Sequence, residues 1–71
     1  MTKEKNQQDL EALGKKLKAA REQAGLTQEQ VAKQAKTTAT YYAMIERGEA
    51  NPSYQKLQRI LKVLKKTLDI L

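Results

Sequence analysis

The chain has no cysteine, no histidine and a single serine, Ser53. Without cysteine there are no disulfides and no thiolate metal sites. With histidine also missing, most of the usual inventory of catalytic nucleophiles and bases is gone. Only three glycines are present, Gly14, Gly25 and Gly48, too scattered to cradle a phosphate in one loop. Most acidic residues have a Lys or Arg at helical spacing or sit near expected helix ends, as on a solvated surface. These absences argue against an enzyme and leave a binding protein that calls for no cofactor and no metal. No apolar run approaches the ~20 residues of a membrane helix. The opening "MTKEKNQQD" carries no hydrophobic stretch resembling a signal peptide. The expectation is a soluble, cytoplasmic protein without membrane association and with no small-molecule ligand evident.

What is present is short, basic and helical in pattern. Seventy-one residues allow one domain with a small core, burying about 60% of the unfolded surface. Fourteen Lys and Arg against eight Asp and Glu give a net charge of +6 and a pI near 9.7. Such a surplus favours polyanionic partners through long-range attraction and counterion release. Many small helical domains are basic for no such reason, so charge alone does not decide the partner.

Residues 1–8 are polar and patternless, which predicts a disordered tail, and residues 9–71 read as the domain. No alternating stretch is long enough for a strand. A first helix is expected from about Asp9, a candidate N-cap, to Ala24, with Leu10, Leu13, Leu17, Ala20 and Ala24 on one face. Gly25 would end it in the left-handed conformation. Gly14, mid-helix, costs about 1 kcal/mol relative to Ala; it is either simply tolerated or admits another helix at close range. In "TQEQ", Thr27 and Gln30 have capping-box spacing for a second helix, whose apolar face is Val31, Ala32 and Ala35. Thr38 caps a third helix through Arg47, stopped by Gly48. Winding it on a wheel puts Tyr42 and Ile45 inward and Thr40, Ala43, Met44 and Arg47 outward, with Tyr41 on the flank. Two short helices joined by a tight turn make the outline of a helix-turn-helix. After Pro52, Ser53 caps a fourth helix with Leu57, Ile60, Leu61 and Leu64 as its core face. Thr67 could cap a short fifth helix, or the fourth could run on unbroken, since Leu57, Leu61, Leu64, Leu68 and Leu71 keep heptad spacing. The fold class is therefore all-α, a bundle of four to five helices.

Two charges border the expected core. Arg21 lies in the apolar stripe of the first helix and Glu46 follows Ile45 in the third. Mutual pairing would offset the large cost of burying each alone. The alternative is two independent surface charges.

The stretch "LGKKLKAAREQAGLTQEQVAKQAKTTATYYAMIERGEANPSYQKLQRILKVL", Leu13 to Leu64, resembles the Xre-type helix-turn-helix family of phage repressors and small bacterial regulators. Its most specific parts are "GLTQEQVA" and "IERGEANPS", where turn, cap and core positions match together. The resemblance implies five helices, the second and third forming a DNA-binding unit on double-stranded DNA. Gln28 matches a phosphate-contacting position, where free helix N–H groups assist, and Thr27 joins the same contact set. Thr38, Ala39, Thr40, Tyr41 and Met44 match positions facing the major groove, and Arg47 and Asn51 match phosphate contacts after the third helix. Arg21 and Glu46 match a buried ion pair of the family. Two departures stand out. The turn commonly reads Gly-Val-Ser but here is Lys36, Thr37 and Thr38, losing a glycine and an apolar anchor. The link to the last helix commonly holds a Gly and a Val but here is Lys65 and Lys66, which favours the unbroken helix.

The recognition helix, about 38–47, lacks the bidentate Arg, Asn or Gln that usually reads bases. Ala39, Ala43, Met44 and the Thr40 methyl suit thymine methyl groups, and the Thr40 and Tyr41 hydroxyls suit base edges or phosphates. The expectation is a sequence-specific transcriptional regulator, a repressor, of modest direct specificity leaning on DNA shape. A homodimer would place two recognition helices about 34 Å apart on a palindromic site. The surplus apolar residues Leu68, Ile70 and Leu71 suit its interface, unless they only cap the monomer core. The competing reading is a protein-interaction or bridging module that uses the same fold without DNA, its apolar outer face meeting a partner.

Overall fold

The computed structural model describes the backbone of residues 3–70 and the side chains of residues 8–65. Helices α1 (Lys3–Gln23), α2 (Gln28–Gln34), α3 (Ala39–Glu46) and α4 (Tyr54–Ile70) follow one another, and no strand occurs among the described residues.

Helix α1 starts at Lys3, through residues expected as a tail, and Asp9 lies inside it rather than capping it. Lys3–Gln8 contains neither Gly nor Pro and is rich in Lys, Glu and Gln, which propagate a helix well. The other starts follow local chemistry. Thr27 accepts from the Gln30 N–H at 3.1 Å while its own N–H donates to Gln30 Oε1 at 2.8 Å, a complete capping box. Thr38 Oγ1 accepts from the Tyr41 N–H at 3.1 Å and Ser53 Oγ from the Lys56 N–H at 3.2 Å.

The first three helices end alike. Leu26 N–H donates to the Arg21 carbonyl, Thr37 N–H to Ala32 and Glu49 N–H to Met44. Each bond spans a residue with positive φ: Gly25 at 74°, Lys36 at 60° and Gly48 at 76°. This is the Schellman arrangement. In the turn before α3, Lys36 therefore takes the left-handed position that glycine takes at the other two ends, and bears its strain. Helix α4 runs unbroken past Lys65 and Lys66 to Ile70, so there is no separate fifth helix in the described backbone.

The core comprises Leu17 of α1, Val31 and Ala32 of α2, Ala35 at its C-cap, Tyr42 and Ile45 of α3, and Ile60 and Leu64 of α4. Gly14 is where α1 crosses the end of α3. A Cβ there would collide with the Glu46 carbonyl oxygen and lie 2.6 Å from that of Ile45. A further sequence expectation is corrected. Leu61 does not join the core face but is 47% exposed, because Leu57, Ile60 and Leu64 make the inward line at spacings of three and four. Its neighbour in sequence is turned aside.

Candidate DNA-binding face

One carboxylate organises the site. Glu46 lies at the end of α3, with its side chain only 3% exposed. Arg21 Nε donates to its Oε2 at 2.7 Å and Arg21 Nη2 to its Oε1 at 3.2 Å. Gln28 Nε2 donates to the same Oε1 at 2.9 Å. Arg21 Nη1 turns to the Leu26 carbonyl at 2.9 Å. The structure thus brings Arg21 and Glu46 together and adds Gln28, so α1, the loop after it, α2 and α3 meet at one ion pair.

Burial pushes the Glu46 carboxyl pKa up, but hydrogen bonds from Arg21 and Gln28 outweigh that and hold it below the ordinary carboxylate value. The hydrogen bond to Glu46 raises the Arg21 guanidinium in turn, against its own desolvation. The Tyr42 hydroxyl is buried beside the pair, and burial first, then the Glu46 charge, pushes it well above its ordinary range. No hydrogen bond of good geometry satisfies that hydroxyl.

The outer side of α3 is mixed in exposure. Thr40 is exposed and Ala43 and Met44 are half-buried beside it. Ala39 and Tyr41, assigned to the groove-facing set, are half-buried and pack partly against the core. Lys56 Nζ of α4 stands 4.3 Å from the centre of the Tyr41 ring, a cation–π contact that fixes the ring and brings a cation to this edge. Exposed Thr38 spends a lone pair on its cap and keeps its hydroxyl proton available.

At the start of α2, Thr27 is exposed and Gln28 half-buried. One Nε2 hydrogen of Gln28 goes to Glu46, and the amide has a second to donate. Gln28, Thr27, Arg21, Leu26, Glu29 and Ala39 line a shallow cavity of about 420 Å³ between the starts of α2 and α3. After α3, Arg47 and Asn51 are both exposed. Arg47 Nη2 donates to Glu49 Oε1 at 3.0 Å, across Gly48, both side chains being more than half exposed.

Sequence reasoning missed three of these contacts. Glu49 follows Arg47 by two residues, a spacing that signals nothing in a helix and matters only because Gly48 turns the chain. The Gln28–Glu46 and Tyr41–Lys56 contacts depend on how helices pack, and no local pattern carries them. Leu68, Ile70 and Leu71, expected at a dimer interface, lie outside the residues whose side chains are described.

The short helices α2 and α3 and the tight turn between them form a helix-turn-helix. A family model described as helix-turn-helix matches residues 17–71, and the chain belongs to that family, the Xre or phage-repressor-like group of DNA-binding domains. No curated protein and no solved structure is significantly similar to it. Among the described residues, no helix is long and apolar enough to cross a membrane.

Proposed function

We propose that this protein is a sequence-specific transcriptional regulator, a repressor that binds duplex DNA as a homodimer with α3 in the major groove. The observation that supports this reading is the outer side of α3, exposed at Thr40 and half-buried at Ala43 and Met44, with Gln28 of α2 bonded to Glu46 at its end and exposed Arg47 and Asn51 following it. These polar side chains can hold phosphates while the helix meets base edges. The +6 charge supplies the long-range attraction.

Within α3, "ATYYAMIE" contains no Arg, Lys, Asn or Gln. Direct reading then falls to the Thr40 hydroxyl and methyl and to apolar contact by Met44 and Ala43, which suits thymine methyl groups. Discrimination of this kind is modest and leaves a share to groove shape. A homodimer compensates by doubling the contact set.

Fluorescence anisotropy on duplex DNA across a salt series tests the reading, with the Gln28→Ala/Arg47→Ala protein beside the wild type. Binding should weaken steeply with salt. The variant should bind more weakly and lose about 0.9 from the slope of log K against log salt for its one missing charge. Absence of binding at low salt would turn the apolar face of α3 toward a protein partner instead.

A further inference from the structure

The first turns of α3 and α4 meet at one contact. Tyr41 and Lys56 are each the third residue of their helix. Each donates its backbone N–H to the cap, Tyr41 to Thr38 Oγ1 at 3.1 Å and Lys56 to Ser53 Oγ at 3.2 Å. Two caps thus fix the backbone from which each side chain starts. The Lys56 ammonium then stands 4.3 Å from the centre of the Tyr41 ring.

We propose that Lys56 is a DNA-backbone contact in its own right, and that Tyr41 is its mount instead of a reader of bases. The inference rests on the DNA-binding reading above and deepens it. It adds a phosphate anchor on α4 and takes Tyr41 out of the groove-reading set. Three observations carry it.

The first is placement. Winding α3 at about 100° per residue puts Tyr41 about 100° to one side of exposed Thr40 and Glu46 about 120° to the other. Gln28 is bonded to Glu46, so Lys56 on Tyr41 and Gln28 on Glu46 stand on opposite sides of the Thr40 line. A helix lying in the major groove has a phosphate backbone on each side. Lys56 supplies a cation on the side away from Gln28.

The second is the state of that charge. No carboxylate among the described residues pairs with the Lys56 ammonium. An aromatic face attracts an ammonium but offers no oxygen to its N–H groups, which stay available for a phosphate. The third is the ring. Tyr41 is half-buried and packs against the core, so a ring also covered by a cation has little surface left for a base. It orders a long, flexible side chain before DNA arrives, which lessens the entropy lost on binding.

The test is fluorescence anisotropy of the full chain on random-sequence duplex DNA across a salt series, with far-UV circular dichroism to show each variant folded. Lys56→Gln should bind about tenfold more weakly at roughly 50 mM salt and lose about 0.9 from the slope of log K against log salt. Tyr41→Leu should weaken binding about two- to fivefold by releasing the lysine, and Tyr41→Phe, which keeps the ring, should restore the loss. In a Lys56→Gln background, Tyr41→Leu should add nothing, because the mount then carries no charge. A Lys56→Gln protein with unchanged slope and affinity would overturn the inference and leave DNA binding standing. Equal losses from Tyr41→Leu with and without Lys56 would overturn it too, since Tyr41 would then touch DNA by itself. A wild-type protein that fails to bind at low salt would overturn the DNA-binding reading and this inference together.

Discussion

Glu46 is a buried acid whose two oxygens are held by three donors, and its energetics are those of a group that must not lose its partners. Glu46→Ala leaves Arg21 with an uncompensated charge at 12% side-chain exposure and should cost about 3–5 kcal/mol by urea unfolding, a large fraction of the stability of so small a domain. An unchanged midpoint would show that the pair is unimportant. Because the folded-state pKa of Glu46 lies below its ordinary 4.5, the stability it contributes is fully present above that value. It is lost as pH falls through the depressed folded pKa. Glu46→Gln should flatten this acid limb of the stability profile. Glu49 works in the opposite sense, holding Arg47 at the surface and placing a negative charge where a phosphate is expected. Glu49→Gln should strengthen DNA binding at low salt, with the gain shrinking as salt is added. Weaker binding would mean that Glu49 orients Arg47 instead of restraining it.

The helices were legible in the sequence where a single residue's chemistry decides the outcome. Thr27, Thr38 and Ser53 cap through their own hydroxyls, and Gly25 and Gly48 stop helices through their own φ. The start of α1 was not legible, because Lys3–Gln8 carries no punctuation and length there is set by propensity alone. Leu61 was misassigned because a leucine next to Ile60 fits the stripe until packing chooses one of them. Lys36 shows the cost of a missing glycine: it adopts a φ of 60° that a side chain resists. Lys36→Gly should therefore stabilise the protein by about 0.5–1 kcal/mol after the flexible residue's entropy is counted, measurable as a higher urea midpoint at unchanged m. Gly14→Ala should do the reverse. Alanine improves local helix propensity by about 1 kcal/mol, yet its methyl meets the carbonyls that end α3, so the net effect should be destabilising by about 1–3 kcal/mol or more. A stabilised Gly14→Ala protein would mean that α1 and α3 can part without penalty.

For the whole molecule, the sequence indicated which residues surround α3 but not how they are tied to one another. Wheel geometry put Arg21 and Glu46 at the edges of their faces, and the structure brings them together. That Gln28 joins them, and that Lys56 reaches across from α4 to Tyr41, needed the helix crossings themselves. The Gln28 link changes how this protein would fail. The amide proposed to grip the DNA backbone takes its orientation from the same carboxylate that keeps α1 on α3. Acid, heat or a mutation that disturbs that carboxylate would then loosen the grip before the chain unfolds outright. A damaged copy would let go of DNA rather than occupy a site in a misshapen form.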